Sequence, residues 1–148
     1  MNKLELKFRK DLIARMGGRW LAAIHVENHL NPGVPDLSYV MVAPGHETGW
    51  LELKASMRPA KVKTVSFKME PSQHQWMIKY AHRVPTHVLA KVGDAYYLID
   101  GRAHVQLAEP VSEDDLKRMC VAFFNEDTLV SGLTTILSGF TRRDRNGS

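Results

Sequence analysis

The sequence predicts a mixed α/β domain with one central sheet. Three observations carry this. Leu4, Phe8, Leu12 and Met16 recur every four positions, with Ile13 widening the stripe, which is the mark of an amphipathic helix. Between Trp20 and Ala55 three apolar runs of strand length are separated by turn signals. After a second helical stretch opening at Pro71-Ser72, apolar runs again alternate with Gly-containing turns.

Taken in order, the first helix covers residues 3–16, and Gly17-Gly18 ends it, as glycine does at a C-terminal cap. Trp20 to Val26 is apolar and reads as a strand; Asn31-Pro32-Gly33 marks a turn. Leu37–Ala43 and Trp50–Ala55 are two further strands around Pro44-Gly45, most simply an antiparallel pair. Residues 57–70 are basic, have no clear period and read as a loop. A helix follows to about Arg83, with Ser72 as its N-cap or Pro71 ahead of the cap, and with Trp76, Met77, Tyr80 and Ala81 at helical spacing. Thr86–Val92, Ala95–Ile99 and a short His104–Leu107 read as strands, broken at Gly93-Asp94 and Asp100-Gly101. Ser112 before Glu113-Asp114-Asp115 starts another helix, with acids where the helix dipole favours them, and residues 127–137 form a last one. No internal repeat or linker appears, so residues 1–140 are expected to form a single domain, with a basic, disordered tail over 141–148.

With 148 residues, 44% hydrophobic and 24% charged, the chain is long enough to bury a core without disulfides. Its one cysteine, Cys120, excludes an internal disulfide and reads as a small apolar packing residue. No apolar run reaches the roughly 20 residues needed to span a bilayer, and the start lacks a secretory apolar stretch. The expected location is therefore intracellular: the cytoplasm, or the host cytoplasm if a phage encodes the chain, with no membrane partner. The formal net charge is +4, unevenly spread. Lys3, Lys7, Arg9, Lys10, Arg15 and Arg19 outweigh Glu5 and Asp11, and Arg58, Lys61, Lys63 and Lys68 outweigh Glu70. Acids dominate residues 109–127 instead. A polyanionic partner suits the basic half.

Chemistry concentrates in Gly33-Val34-Pro35-Asp36 and Trp50-Leu51-Glu52-Leu53-Lys54. A strand alternates its faces, so Leu51 and Leu53 point into a core while Glu52 and Lys54 point together to the other side. Asp36 opens the preceding strand, and pairing of the two strands brings Asp36 and Glu52 to one point. Converging carboxylates repel unless a cation sits between them, and a hard divalent ion with oxygen ligands does this. A lysine beside such an ion suits phosphodiester hydrolysis. Glu5-Leu6-Lys7 has the same Glu-x-Lys letters, but on a helix, where positions two apart lie about 200° apart around the axis. The motif gains meaning only on a strand.

Together with Ser72-Gln73-His74-Gln75, these motifs resemble the PD-(D/E)XK nuclease superfamily. Within it the chain looks most like stand-alone VRR-NUC nucleases of phages and bacteria and the related Holliday-junction resolvases, over roughly residues 3–92. The resemblance implies a restriction-endonuclease-like core of helix, three-strand meander, helix and strand, with a mixed sheet. It implies Asp36 and Glu52 as ligands of Mg²⁺, for which Mn²⁺ would substitute, with the Leu53 backbone carbonyl completing the set and Lys54 as the catalytic lysine. A Glu of the first helix often joins such sites; Glu5 matches, its alternative being a helix-start acid, and Glu27 is the runner-up. Gln75 matches the family's glutamine near metal or phosphate, with Gln73 competing but less well spaced from Ser72. Implied too are cleavage of DNA to leave a 5′-phosphate, with branched or structured DNA and Holliday junctions as substrate, and a homodimer making two cuts. The alternatives are a general or nicking endonuclease and a module that binds without cutting.

Lys61, Lys63 and Lys68, with Arg58 and Ser72, lie between the Glu-x-Lys strand and the following helix, where they can contact nucleic acid or simply face solvent. The same holds for Arg142, Arg143 and Arg145. The alternation His25, Glu27, His29 reads as structural or surface histidines rather than a metal site, and His74 stands near enough to Gln75 to approach substrate.

Overall fold

The structure, a computed structural model, describes residues 2–26, 32–42 and 45–139. Helix α1 spans Lys3–Met16; the Asn2 side chain caps it by accepting the Glu5 N–H at 2.8 Å, and Phe8, Leu12 and Met16 are buried. Leu4, the first member of the stripe, stays exposed. Gly17, at φ 50°, closes the helix through its N–H to the Ile13 carbonyl, a conformation that suits glycine. Strands β1 (Trp20–His25), β2 (Leu37–Met41) and β3 (Thr48–Ser56) then form an antiparallel meander.

The chain leaves β3 through β4 (Thr64–Val65) and α2 (Pro71–Tyr80) and returns as β5 (Thr86–Val92), parallel to β3. A parallel return needs such a crossover, and this one lays α2 over the face carrying Glu52 and Lys54. Strand β6 (Ala95–Asp100) follows antiparallel to β5. A 3₁₀ turn over Gly101–Leu107, β7 (Val111–Ser112), α3 (Glu113–Met119), β8 (Ala122–Phe124) and α4 (Leu129–Gly139) complete the described chain. The main sheet runs β1-β2-β3-β5-β6-β8 and is mixed, while β4 and β7 pair separately. One face, with Leu37, Tyr39, Leu51, Leu53, Leu89 and Leu98, packs under α1 and α4. The other, with Val88, Ala90, Val92, Tyr97 and Ile99, packs under Met77 of α2 and Leu116 of α3.

Three expectations change. Residues 104–107 are helical rather than a strand, because the Asp100 carboxylate accepts the Arg102 N–H and turns the chain, and Gly101, His104 and Leu107 bury at the threefold spacing of a 3₁₀ helix. The basic stretch 57–70 is not wholly a loop, since Thr64-Val65 pairs with Val111-Ser112. Strand β8 lies within the acidic region, where the sequence pattern predicts no strand. Ser112 does cap α3, accepting the Asp115 N–H at 3.0 Å. Asn31, Ala43, Pro44 and the tail 141–148 lie outside the described residues. Among the described residues no helix is long and apolar enough to cross a membrane.

His87, on β5 opposite Asp100, is fully buried, and burial lowers its pKa from 6.5 to about 4, against the pull of Asp100. A histidine with a depressed folded pKa leaves the unfolded chain binding more protons between the two values, so stability rises with pH there. Its contribution is whole above pH 6.5 and is lost as pH falls toward 4. About 3 kcal/mol of acid destabilisation is expected from this side chain. Denaturant unfolding at pH 4.5, 5.5 and 6.5 should show that His87→Gln flattens the slope; parallel profiles would assign the slope to other groups.

Candidate active site

Asp36 lies one residue before β2 and is fixed on both sides. Its carbonyl accepts the Val26 N–H at 3.0 Å and lies 3.2 Å from His25 Nδ1. Its carboxylate Oδ2 accepts the Leu53 N–H at 2.9 Å. The carboxylate thus sits where β2 and β3 stop pairing, beyond the Leu37–Leu51 partnership. The preceding Gly33 has φ +97°, and a Cβ there would overlap the Ser72 carbonyl. The glycine is required both by its backbone conformation and by the approach of α2.

Glu52 and Lys54 project from β3 toward α2 and are nearly inaccessible, at 2% and 4%. Lys54 Nζ donates to the Lys68 carbonyl at 2.6 Å and to Gln73 Oε1 at 3.2 Å, and lies 3.8 Å from Glu52 Oε1. Gln73 Nε2 donates to Glu52 Oε1 at 2.9 Å, and its Oε1 also accepts the Glu70 N–H at 2.8 Å. One amide therefore bridges the anion and the cation. Burial pushes the Glu52 pKa well above the usual carboxylate range, and the Asp36 carboxylate within hydrogen-bonding reach pushes it further; Lys54 offsets only part. The other oxygen, Glu52 Oε2, is buried without a hydrogen-bond donor. Trp50 N–H donates toward β5, at the Pro85 carbonyl, so alternation turns the Leu53 N–H and carbonyl the other way, toward Asp36.

The structure thus brings Asp36, Glu52, Lys54 and the Leu53 backbone together. Glu5, from α1, comes within electrostatic range: burial raises its pKa, Lys54 lowers it, and Asp36 raises it. It does not complete a three-carboxylate cluster, and no group of three or more His, Cys, Asp or Glu side chains converges among the described residues. Gln75 is not brought to the carboxylates. Helix α2 starts with Pro71 at its first position and Glu70 at the cap, which makes Gln73 the third helical residue, with its side chain turned back toward the cap. Gln75 faces solvent, and Ser72, displaced from the capping role, sits beside it on the rim of a groove. The signal for Gln73 was present in Glu70-Pro71-Ser72-Gln73, a capping box with proline at the first helical position.

Arg58 is also directed elsewhere: its guanidinium donates to Glu113 at 2.8 and 3.1 Å and to Asp94 at 3.2 Å. The acidic segment thus neutralises the chain's own cations, as Glu126 does with Arg15 at 2.8 Å. Lys61 and Lys63 are exposed, and Lys68, also exposed, lies 3.3 Å from Glu70. His74 turns away from the carboxylates to His104, Nδ1 to Nδ1 at 2.7 Å. Arg9 lies within hydrogen-bond distance of the His25 ring. Glu27, His29, Arg142, Arg143 and Arg145 lie outside the described residues.

A buried carboxylate oxygen without a donor, within reach of a second carboxylate, has the oxygen-ligand chemistry that fits a hard divalent cation. The helix–meander–helix–strand core and mixed sheet define the restriction-endonuclease-like fold. In particular, the fold is similar to that of Archaeoglobus fulgidus Hjc, a Holliday junction resolvase from an archaeal hyperthermophile, with a TM-score of 0.52 and 16% identity over 76% of this chain and 92% of that one. No protein-family model matches the sequence, and no curated protein matches it significantly.

Proposed function

We propose that this chain is a metal-dependent endodeoxyribonuclease that hydrolyses phosphodiester bonds in branched or structured DNA. The observation that carries the proposal is the buried meeting of Asp36 and Glu52 beside the Lys54 ammonium, with Glu52 Oε2 lacking a donor. Asp36, Glu52 and the Leu53 carbonyl would hold Mg²⁺, with Mn²⁺ able to replace it. Bound there, the ion would polarise a phosphoryl oxygen and lower the pKa of a coordinated water. Lys54 spends two of its three ammonium hydrogens on Lys68 and Gln73, leaving the third for an attacking water or a phosphate oxygen. Gln73 holds the Glu52 and Lys54 heads in fixed relation, so little rearrangement is needed as charge develops. Glu5 stands within electrostatic range of both Lys54 and Asp36.

Preference for a four-way junction is proposed from the likeness to a resolvase, and assignment to the VRR-NUC type from the motifs around Asp36, Glu52 and Ser72. Paired cuts would call for a homodimer. The test incubates the protein with a four-way junction and with linear duplex, with and without Mg²⁺. Paired symmetric cuts that Asp36→Asn abolishes support the proposal. Unselective nicks point to a general endonuclease, and binding without product to a module that does not cut.

The exposed Lys61, Lys63 and Lys68 lie on the segment leading to Gln73. Replacing all three with alanine is expected to weaken DNA binding and to lower the slope of log affinity against log salt by up to about 2–3. Titrations at several salt concentrations check this. An unchanged slope would mean that these lysines only face solvent.

A further inference from the structure

We infer that the groove beside the carboxylates, walled by Trp50, Trp76 and Tyr80, takes one unpaired nucleobase of the bound DNA; this rests on the nuclease reading above. Trp50 shares a strand face with Glu52 two residues away, about 6–7 Å along the strand. A base seated there belongs to a nucleotide close to the phosphate at the carboxylates. Trp76 meets Trp50 edge-on with ring centroids 5.6 Å apart, and Tyr80 lies 4.9 Å from Trp76. The three rings therefore form a continuous aromatic wall from β3 along α2. All three are only half-buried, and the groove they line has a volume of about 600 Å³, room for a nucleoside.

The chemistry of the rim selects the occupant. Lys79 is exposed with Nζ 5.3 Å from the Tyr80 ring centre, a cation placed for the phosphate attached to a stacked base. Gln75 and Ser72, which do not reach the carboxylates, line the same groove and offer an amide and a hydroxyl to a base edge. Aromatic wall, cation and amide together are the parts of a single-strand stacking site. A base inside an intact duplex has both faces covered by its neighbours, so only an unpaired or extruded base can enter.

The experiment uses the full chain in EDTA with two end-labelled duplexes of one sequence, one fully paired and one carrying a single unpaired 2-aminopurine. The expected result is about tenfold tighter binding of the second, with quenching of the 2-aminopurine on binding. Trp76→Ala should remove most of the preference and the quench, and Trp76→Phe should keep them; Tyr80→Ala serves if Trp76→Ala does not fold. Equal affinity for the two duplexes, or a preference that Trp76→Ala leaves intact, would overturn the assignment while leaving the nuclease reading in place. Conversion of a dimer to monomer by Trp76→Ala would overturn it in favour of a second copy as occupant. Preference and quenching with no cutting of a four-way junction in Mg²⁺ would keep the base site and remove the nuclease reading, and binding of neither duplex would overturn the base site while the junction assay decides the nuclease reading.

Discussion

Lys54→Met is expected to lower strand cleavage by roughly 10²–10³-fold or more while the protein stays folded. The side chain is buried at the end of a strand face, and its head is fixed by the Lys68 carbonyl and Gln73. Methionine keeps most of the stem's volume, so the packing against α2 survives. What disappears is the ammonium 3.8 Å from Glu52, and with it a donor that needs no reorganisation as charge builds on the phosphate. Removing one partner of a buried ion pair ordinarily destabilises a protein severely, because the other charge is left behind. Here that penalty is limited. Burial and Asp36 already favour the protonated form of Glu52, so losing the lysine makes this carboxyl take up a proton rather than remain an isolated anion. Single-turnover cleavage at saturating protein, with a circular dichroism spectrum, checks both halves. A folded variant that cuts at the wild-type rate would remove Lys54 from the chemistry.

How much of this was legible in the sequence depends on the range of the interactions. The pairing of Asp36 with Glu52 and Lys54 follows from a period of two on β3 and a turn before β2, both local patterns. Gln73 was also locally encoded, but the cap had to be placed at Glu70 rather than Ser72 before its direction was readable. Residues 104–107 fit a strand by sequence because short apolar runs do not declare their period; the Asp100 cap decides for the turn. Arg58 could not have been excluded from the DNA-facing set by any local rule. Its partners Asp94 and Glu113 are 36 and 55 residues away and are delivered by the sheet and by α3. The aromatic groove was half visible: Trp76 and Tyr80 sit one helical turn apart, while Trp50 joins them only through the crossover that lays α2 over β3.

Glu52→Gln is expected to change stability in opposite directions with and without metal. The unfolded carboxyl ionises near its ordinary value of 4.5, whereas the folded one, buried and facing Asp36, holds its proton to higher pH. Between those two values the folded state binds more protons, so the contribution of Glu52 to stability falls as pH rises through that window. It is most favourable below 4.5, where both states are protonated, and most unfavourable above the folded value. Glutamine cannot ionise, still accepts from Gln73, and offers an N–H toward the Asp36 carboxylate. In EDTA at pH 7–8 the variant should therefore melt above the wild type, and its melting temperature should vary less with pH. Wild-type protein with Mg²⁺ at about a hundred times its dissociation constant should gain about 2.7 kcal/mol, roughly 5–10 °C in melting temperature, and the variant should gain little of it. A glutamate retained only for packing and hydrogen bonding would behave differently, with Glu52→Gln lowering the melting temperature equally in both buffers. Thermal melts of the two proteins in EDTA and in Mg²⁺ at pH 5.5 and 7.5 distinguish these cases. A variant less stable in EDTA that keeps the full Mg²⁺ response would show that the buried oxygen of Glu52 serves the fold and not a cation.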